Sequence, residues 1–245
     1  MKATRRAIKW TIAVGVLLFG AFLLYAVLRN RPQDLPWTEL DLAQPVGLFT
    51  AGKIAALREH PGKCEALLDR AGIEYAGQPE IIVEGGQCGY SDGVRFEGGG
   101  ARRIDLVPAR VTTSCPVAAG LALWEWEVVQ PAALKHFDKR VSAIEHLGSY
   151  NCRQIVGRGE GVWSQHATAN ALDISAFRLS DARRITVKGD WNSNDPAVRA
   201  FLREVRDGAC GMFTTVLSPD YNEVHRDHFH FDQGNRGMMG WKACR

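Results

Sequence analysis

The segment HRDHFHFD, near the C-terminal end, concentrates three of the chain's seven histidines and two aspartates in eight positions. Because side chains alternate between the two faces of a strand, His228, His230 and Asp232 share one face if the segment is extended. Phe229 and Phe231 then share the other face, where aromatic rings are expected to enter a core. Two explanations fit the polar face: histidines that bond to each other on a wet surface, or histidines that bind a metal ion.

A second polar segment, SQHATANALDIS, strengthens the metal explanation. It contains His166 and, seven residues later, Asp173 between the apolar Leu172 and Ile174. A carboxylate in an apolar stretch is costly unless a cation meets it, and that cation could be an arginine or a metal ion. A catalytic zinc keeps three nitrogen, oxygen or sulfur ligands from the protein and leaves a fourth position to water. His166, Asp173 and one histidine of the first segment make such a set.

The first thirty residues predict a membrane anchor. The uncharged apolar run from Thr11 to Leu28 would span roughly 27 Å as a helix, close to the hydrocarbon thickness of a bilayer. A cleaved signal peptide is the alternative, but the run is longer than a usual h-region and no small-x-small cleavage site follows it. More basic residues precede the run than follow it, which favours a cytoplasmic N-terminus; those before it are Lys2, Arg5, Arg6 and Lys9.

The organisation that follows is a cytoplasmic segment 1–9, a transmembrane anchor 10–29, a linker 30–59 and a folded domain 60–245. The linker assignment depends on the polar, proline-punctuated stretch RPQDLPWTELDLAQPVG. Export across a bacterial inner membrane would place the domain in the periplasm. The formal net charge of +3 and the pI near 8.6 are too mild to indicate nucleic-acid binding.

The six cysteines agree with export. All lie beyond the apolar run, and the absence of any C-x-x-C excludes a zinc knuckle and a thioredoxin-type redox pair. An even number of dispersed cysteines in an exported domain predicts three disulfides. The sequence allows several pairings, and we expect neighbours in sequence to pair: Cys64 with Cys88, Cys115 with Cys152, and Cys210 with Cys244.

The pattern of helices and strands predicts an α+β domain. KCEALLDRAGI and CPVAAGLALWEWEVVQPAALKHF are expected to be helical. NDPAVRAFLREVRDG has Asp195 at the N-cap, Pro196 at the first helical position and Gly208 at the end. VSAIEHLG, ALDISAF, RITV, FTTVLSP and HFHFD read as short strands. Helices packed on a small, mostly antiparallel sheet are the expected architecture.

At this point the residues resemble a known group. S-x-H-x(6)-D-I followed by a late H-x-H is similar to motifs of the zinc peptidases of the lysostaphin, D-Ala-D-Ala carboxypeptidase and Hedgehog group. FHFDQG resembles the H-x-D-x-G ending of bacterial murein peptidases, and SYNCR their SGYR segment, whose arginine lies in the active site. From Cys64 onwards the chain also resembles the bacterial extensin-like C-terminal domain family. These resemblances imply a Hedgehog/D-Ala-D-Ala-peptidase-like fold and a zinc peptidase that acts on peptidoglycan stems or cross-links.

Position by position, the resemblance makes His166, Asp173 and His230 the zinc ligands. It gives Arg153 the role of stabilising the oxyanion of the tetrahedral intermediate. One departure concerns the glycine of S-x-H-x-x-G-x-A-x-D, which is absent here, with Ala169 in its neighbourhood. A tighter loop at this point would restrict the access of substrate.

The general base has two candidates under the same resemblance. Some members place an acid three residues before the last ligand, which is Asp227 here, and others a histidine two residues before it, which is His228. Strand alternation places His228 on the face of His230 and Asp227 on the opposite face. We therefore favour His228 as the base and keep Asp227 as the alternative.

Other functions fit the sequence less well. HFHFDQ resembles the H-x-H-x-D-H motif of metallo-β-lactamase-type hydrolases, but Gln233 stands where the last histidine is required. Ser164 has no G-x-S-x-G around it, which disfavours a serine nucleophile. The main alternative is a cell-wall binding or scaffolding domain with a structural zinc and no turnover, because fold and motif do not guarantee chemistry.

Overall fold

A computed structural model describes residues 2–155, 161–236 and 242–245 of the chain. The helices are α1 (Lys2–Arg29), α2 (Thr50–Ala56), α3 (Pro61–Arg70), α4 (Cys115–Trp124), α5 (Gln130–Phe137), α6 (Val187–Asp190) and α7 (Pro196–Ala209). A π-helical turn, Glu125–Val129, joins α4 to α5, and short 3-10 turns occur at Pro32–Asp34, Leu57–Glu59, Gln165–Thr168 and Glu223–His225. The strands are β1 (Tyr75–Gly77), β2 (Ile81–Ile82), β3 (Gly89–Tyr90), β4 (Gly93–Phe96), β5 (Asp105–Val107), β6 (Thr113–Ser114), β7 (Val141–Gly148), β8 (Ala171–Leu179), β9 (Arg184–Thr186), β10 (Thr215–Leu217), β11 (Phe229–Asp232) and β12 (Ala243–Cys244).

The main sheet has the order β12-β10-β11-β8-β7-β5, and β9 pairs with β8 outside this path. Its pairings are antiparallel except for β5 with β7 and β10 with β12. Two smaller sheets, β1-β4-β6 and β2-β3, flank it. The predicted α+β architecture with a mostly antiparallel sheet is confirmed.

The core lies on one face of the main sheet, against the helices. Phe229 and Phe231 of β11 are fully buried there, and the ring of Phe231 makes an edge-to-face contact with Trp124, with 5.1 Å between centroids. Every residue of α4 is buried, so this helix forms the centre of the helical layer. Because alternate residues of a strand face opposite ways, the same packing directs His230 to the other face of the sheet.

The disulfides correct two of the three predicted pairings. Cys210 pairs with Cys244 as predicted, but Cys64 pairs with Cys115, and Cys88 pairs with Cys152. The physical reason is the packing of α3 against α4, which brings Cys64 and Cys115 together although they are 51 residues apart. Cys88, in the β2–β3 hairpin, is then left to reach the loop that follows β7.

The predicted linker 30–59 is only partly a separate segment. It contains α2, which packs against α4 and buries Ile54 completely, and Leu42 also belongs to the hydrophobic core. Proline and polar residues suggested a free stalk, but the apolar positions between them are sufficient to attach it to the domain. A fragment that starts at residue 60 would therefore lose part of the core.

The N-terminal helix stands apart from this core. Residues Thr4–Arg29 are long and apolar enough to cross a membrane, and none of this stretch is buried against the rest of the protein. A 26-residue apolar helix exposed to water would be costly, so it calls for an apolar surrounding.

Glu145 of β7 ties three strands of the main sheet together, since it binds Arg178 of β8 and Arg184 of β9. The hydrogen bonds from Arg184, and then those from Arg178, lower the pKa of Glu145 from 4.5 to about 2 despite the opposing effect of burial. A depressed carboxyl pKa gives stability that is present above the unfolded-state pKa and lost as the pH falls towards the folded-state value.

We therefore expect Glu145→Gln to lower the free energy of unfolding by roughly 1 kcal/mol at neutral pH. The difference from the wild type should shrink as the pH falls through 4.5 towards about 2. Thermal unfolding followed by circular dichroism over this range measures it. Glu97→Gln, which breaks the more exposed pair with Arg95, is the control and should change little; equal effects of both variants would contradict the prediction.

Candidate metal centre

Three segments bring the predicted metal ligands together on the polar face of the main sheet. The antiparallel register of β8 and β11 places Asp173 directly opposite His230. His166 comes from the 3-10 turn before β8, where the N-cap Ser164 accepts a hydrogen bond from the backbone N–H of His166. Two ligand candidates are therefore fixed by strand pairing and the third by a capped turn.

The candidate ligand atoms converge closely. His230 Nδ1 lies 2.9 Å from Asp173 Oδ1 and 3.1 Å from His166 Nε2, and His166 Nε2 lies 3.2 Å from Asp173 Oδ1. Ligand atoms about 2.0–2.1 Å from a tetrahedral ion are separated by roughly 3.3 Å, which is close to these values. Among the described residues, His166, Asp173 and His230 form a group that could hold a metal ion.

In His166 and His230, the ring nitrogen that faces away from the centre makes a hydrogen bond that determines the tautomer. His166 Nδ1 lies 2.6 Å from the carbonyl oxygen of Ser149, which can only accept, so this nitrogen donates. His230 Nε2 lies 3.1 Å from the Asp232 carboxylate and donates in the same way. In the neutral rings, both inward nitrogens then carry lone pairs that face each other and the Asp173 carboxylate. Three acceptors at this distance require a positive charge between them, and the donor set fits a metal ion.

A proton shared with His230 is one source of that charge. Burial disfavours the charged form of His230, but its hydrogen bonds to Asp173 and Asp232 raise the pKa to about 9. Burial raises the pKa of Asp173, while the interactions with the imidazoles of His166 and His230 outweigh it and hold the pKa far below its usual range. A metal ion that binds here therefore has to displace a proton.

His228 lies beside the three residues without belonging to the group. Its Nε2 is 3.7 Å from Asp173 Oδ1, and its Nδ1 donates to Asp227 Oδ1 at 2.8 Å. The hydrogen bond from His228 lowers the pKa of Asp227, which keeps this carboxylate ionised. The pair therefore presents an acceptor nitrogen, Nε2, towards the candidate metal centre.

The expectation that Asp227 points to the opposite face is wrong. Strand β11 begins at Phe229, so Asp227 lies in the turn before it, where strand alternation does not apply. The half-exposed carboxylate turns towards His228 and supports its ring. Asp227 and His228 are thus partners rather than exclusive alternatives.

His225 belongs to the same cluster, although the sequence analysis gave it no role. Its ring centroid lies 5.2 Å from that of His228 and 5.9 Å from that of His230, and Nδ1 is 2.6 Å from Asn222 Oδ1. Burial, followed by the charges of His230 and His228, lowers the pKa of His225 to about 4. The spacing H-x-x-H, which brings both rings to one side of a helical turn, was the available signal.

Arg153 lies at the edge of the centre. Its side chain is exposed, and its positive charge contributes to the lowered pKa of His225, which places it within electrostatic range. The backbone is held by the hydrogen bond from Ser164 N to Arg153 O and by the adjacent Cys88–Cys152 disulfide. Within the described residues, no carboxylate forms an ion pair with Arg153.

Ala169 occupies the position of the missing glycine and has the backbone conformation that glycine adopts most easily. Its φ of 52° lies in the left-handed region, and its methyl group is fully buried. The Ala169 carbonyl accepts from Ser149 Oγ at 3.2 Å and from Ser114 N at 2.8 Å. These bonds hold the turn that carries His166.

These features define an α+β domain with a buried His–Asp–His group that could hold a metal ion and a His–Asp pair beside it. The profile of the family described as "Extensin-like protein C-terminus" matches residues 62–245. The chain belongs to this family, as the resemblance from Cys64 onwards implied. No match was found among curated proteins or among solved structures.

Proposed function

We propose that His166, Asp173 and His230 bind Zn²⁺ and that the domain is a zinc peptidase. The observation that carries this proposal is the convergence of three acceptor atoms whose outer partners, Ser149 and Asp232, orient the two imidazoles. Outer hydrogen bonds of this kind are typical of metal-binding histidines. Zinc bound there would lower the pKa of a bound water and polarise the scissile carbonyl.

The neighbouring side chains fit a hydrolytic role. His228 would accept the proton of the attacking water at Nε2, because Nδ1 already donates to Asp227. The Asp227 carboxylate would stabilise the imidazolium that forms. Arg153 would meet the negative charge that develops on the carbonyl oxygen of the substrate. Each role uses an atom that the fold leaves available.

The proposed substrate is the peptide part of peptidoglycan, as stem or cross-link. Its support is the resemblance to murein peptidases, together with an apolar helix and disulfides that suit an exported domain. Two exposed apolar side chains are sequence neighbours of residues at the centre: Val224 precedes His225, and Leu147 precedes Gly148, which pairs with Asp173 across β7 and β8. The test is whether the purified chain releases new fragments from peptidoglycan; binding without release supports a scaffolding domain.

We expect His166→Ala to lose the tightly bound zinc, about one ion per chain in the wild type. The variant removes one of three ligands and leaves two acceptors that hold the ion weakly. Metal analysis after dialysis, by mass spectrometry of the eluted ion, measures it. His225→Ala is the matched control and should keep its zinc, because His225 is outside the ligand group; equal zinc in His166→Ala and the wild type would remove His166 from the site.

We also propose that α1 anchors the chain in a bacterial inner membrane with the domain in the periplasm. Basic residues before the apolar stretch favour a cytoplasmic N-terminus, and the three disulfides need an oxidising compartment. A reporter that works only in the cytoplasm, fused after Arg245, should therefore be silent, whereas a periplasmic reporter at the same place should be active. The reverse result would contradict the anchor topology and the compartment together.

A further inference from the structure

A buried lysine fixes the segment that leaves the membrane helix. Lys53 of α2 is only 7% exposed, and its ammonium donates to Thr38 Oγ1 at 2.7 Å, Gln33 Oε1 at 3.1 Å and the Pro32 carbonyl at 3.2 Å. Thr38 Oγ1 also bonds to the Pro32 carbonyl. A buried ammonium is costly unless each donor is satisfied, so these bonds hold residues 32–38 against the domain.

A second set of bonds closes the segment on itself. Asp34 Oδ1 accepts from Leu48 N at 2.7 Å, and the carbonyl of Gln33 accepts from Phe49 N at 3.1 Å. Gly47 approaches so closely that a Cβ there would lie 2.4 Å from the carbonyl carbon of Gln33. We call residues 31–49 the collar; it folds back so that Leu48 lies beside the turn Pro32–Asp34, directly after α1.

The collar exposes two large apolar side chains. Trp37 is 76% exposed and Leu48 is 74% exposed. Arg29 is the last residue of α1 and Arg31 follows it, so two positive charges lie where the helix would leave the bilayer and meet anionic headgroups. Tryptophan is enriched in the interfacial region of a membrane, because its ring is apolar and its N–H is polar.

We propose that the collar is a membrane-docking surface: Trp37 and Leu48 insert into the outer interfacial layer of the bilayer that α1 crosses, and Lys53 keeps them in place. The occupant is the lipid surface, because the collar continues α1 without a free linker. The domain is then held at the membrane in a fixed orientation instead of on a flexible stalk. This inference rests on the proposed anchor but is independent of zinc and turnover.

The test uses the full chain in vesicles of phosphatidylethanolamine and phosphatidylglycerol, with and without acyl-chain-brominated lipids that quench tryptophan on contact. The difference between the wild type and Trp37→Phe isolates the emission of Trp37 among the seven tryptophans. In the Trp37→Phe background, Leu48→Trp reports the second position. Ile82→Trp in the same background is the control, because Ile82 is 80% exposed and lies outside the collar.

We expect brominated lipid to lower the emission from positions 37 and 48 by at least about twofold and that from position 82 hardly at all. Lys53→Met should reduce the quenching at position 48, which reaches the membrane only through the folded collar.

If the emission from positions 37 and 48 is equal with both lipids, the proposal is overturned. It is also overturned if the emission shifts to the blue as the protein concentration rises but is not quenched, because a second copy of the chain would then cover the collar. Quenching at position 48 that survives Lys53→Met overturns the role of Lys53. A chain that does not float with the vesicles overturns the anchor as well, so the two failures are distinguishable.

Discussion

Replacing His228 by alanine is expected to lower the hydrolysis of peptidoglycan peptides by roughly 10²–10⁴-fold while zinc stays bound. The ring lies 3.7 Å from Asp173 Oδ1 but is not required to complete the three-ligand group. Loss of a general base removes proton transfer without removing the metal. Initial rates of fragment release and the zinc content, measured on the same preparation, test both halves of the expectation.

Two further variants give this prediction its controls. His136→Ala removes a half-buried histidine that pairs with Glu204, away from the centre, and should leave the rate unchanged. Asp227→Asn should reduce the rate less than His228→Ala, because it weakens the support of the ring but leaves the base. If Asp227→Ala is inactive while His228→Ala is active, Asp227 is the base and the assignment of His228 is wrong.

Arg153→Ala is expected to lower kcat by roughly 10²–10³-fold, because the oxyanion loses its positive partner. An interaction made only in the transition state lowers kcat and kcat/KM together, whereas one that merely holds substrate raises KM. Steady-state kinetics with a defined muropeptide separates the two. A raised KM with an unchanged kcat would contradict the oxyanion role.

The control for Arg153 has to exclude a structural effect, because Cys152 is its neighbour. The Cys88–Cys152 disulfide of the variant should be verified by mass spectrometry of a non-reduced digest. Arg178→Ala removes an exposed arginine of β8 that pairs with Glu145 and should not change the rate. Arg153→Lys should restore part of the activity, since it keeps the charge but not the planar guanidinium.

Much of the centre followed from local rules. Alternation along HFHFD placed His230 opposite the phenylalanines, and the apolar surroundings of Asp173 marked it as a carboxylate that needs a cation. The cap at Asp195 and Pro196 set the start of α7, because such signals are contained in a few consecutive residues. Neither segment alone specifies the strand register that places Asp173 opposite His230. The pairing was expected only because both residues are of types that bind metal ions.

Long-range packing was harder to predict. The pairing of Cys64 with Cys115 depends on how α3 lies on α4, which no local pattern specifies. The burial of Lys53 depends on the folding back of the collar, and that of Ile54 on the packing of α2 against α4. Neither contact is indicated by the local pattern of proline and polar residues. The orientation of Asp227 was predicted wrongly because the strand was assumed to start before Phe229.

The most direct test of the account is mass spectrometry of muropeptides after incubation with the purified full chain, stripped of metal and then supplied with zinc or left without it. The account predicts new fragments, cut at a peptide bond, with zinc and the wild-type chain. None should form without metal, or with His166→Ala in the presence of zinc. Zinc-loaded wild type that binds peptidoglycan and releases no fragment would contradict the peptidase, and fragments that persist without metal would contradict the proposed centre.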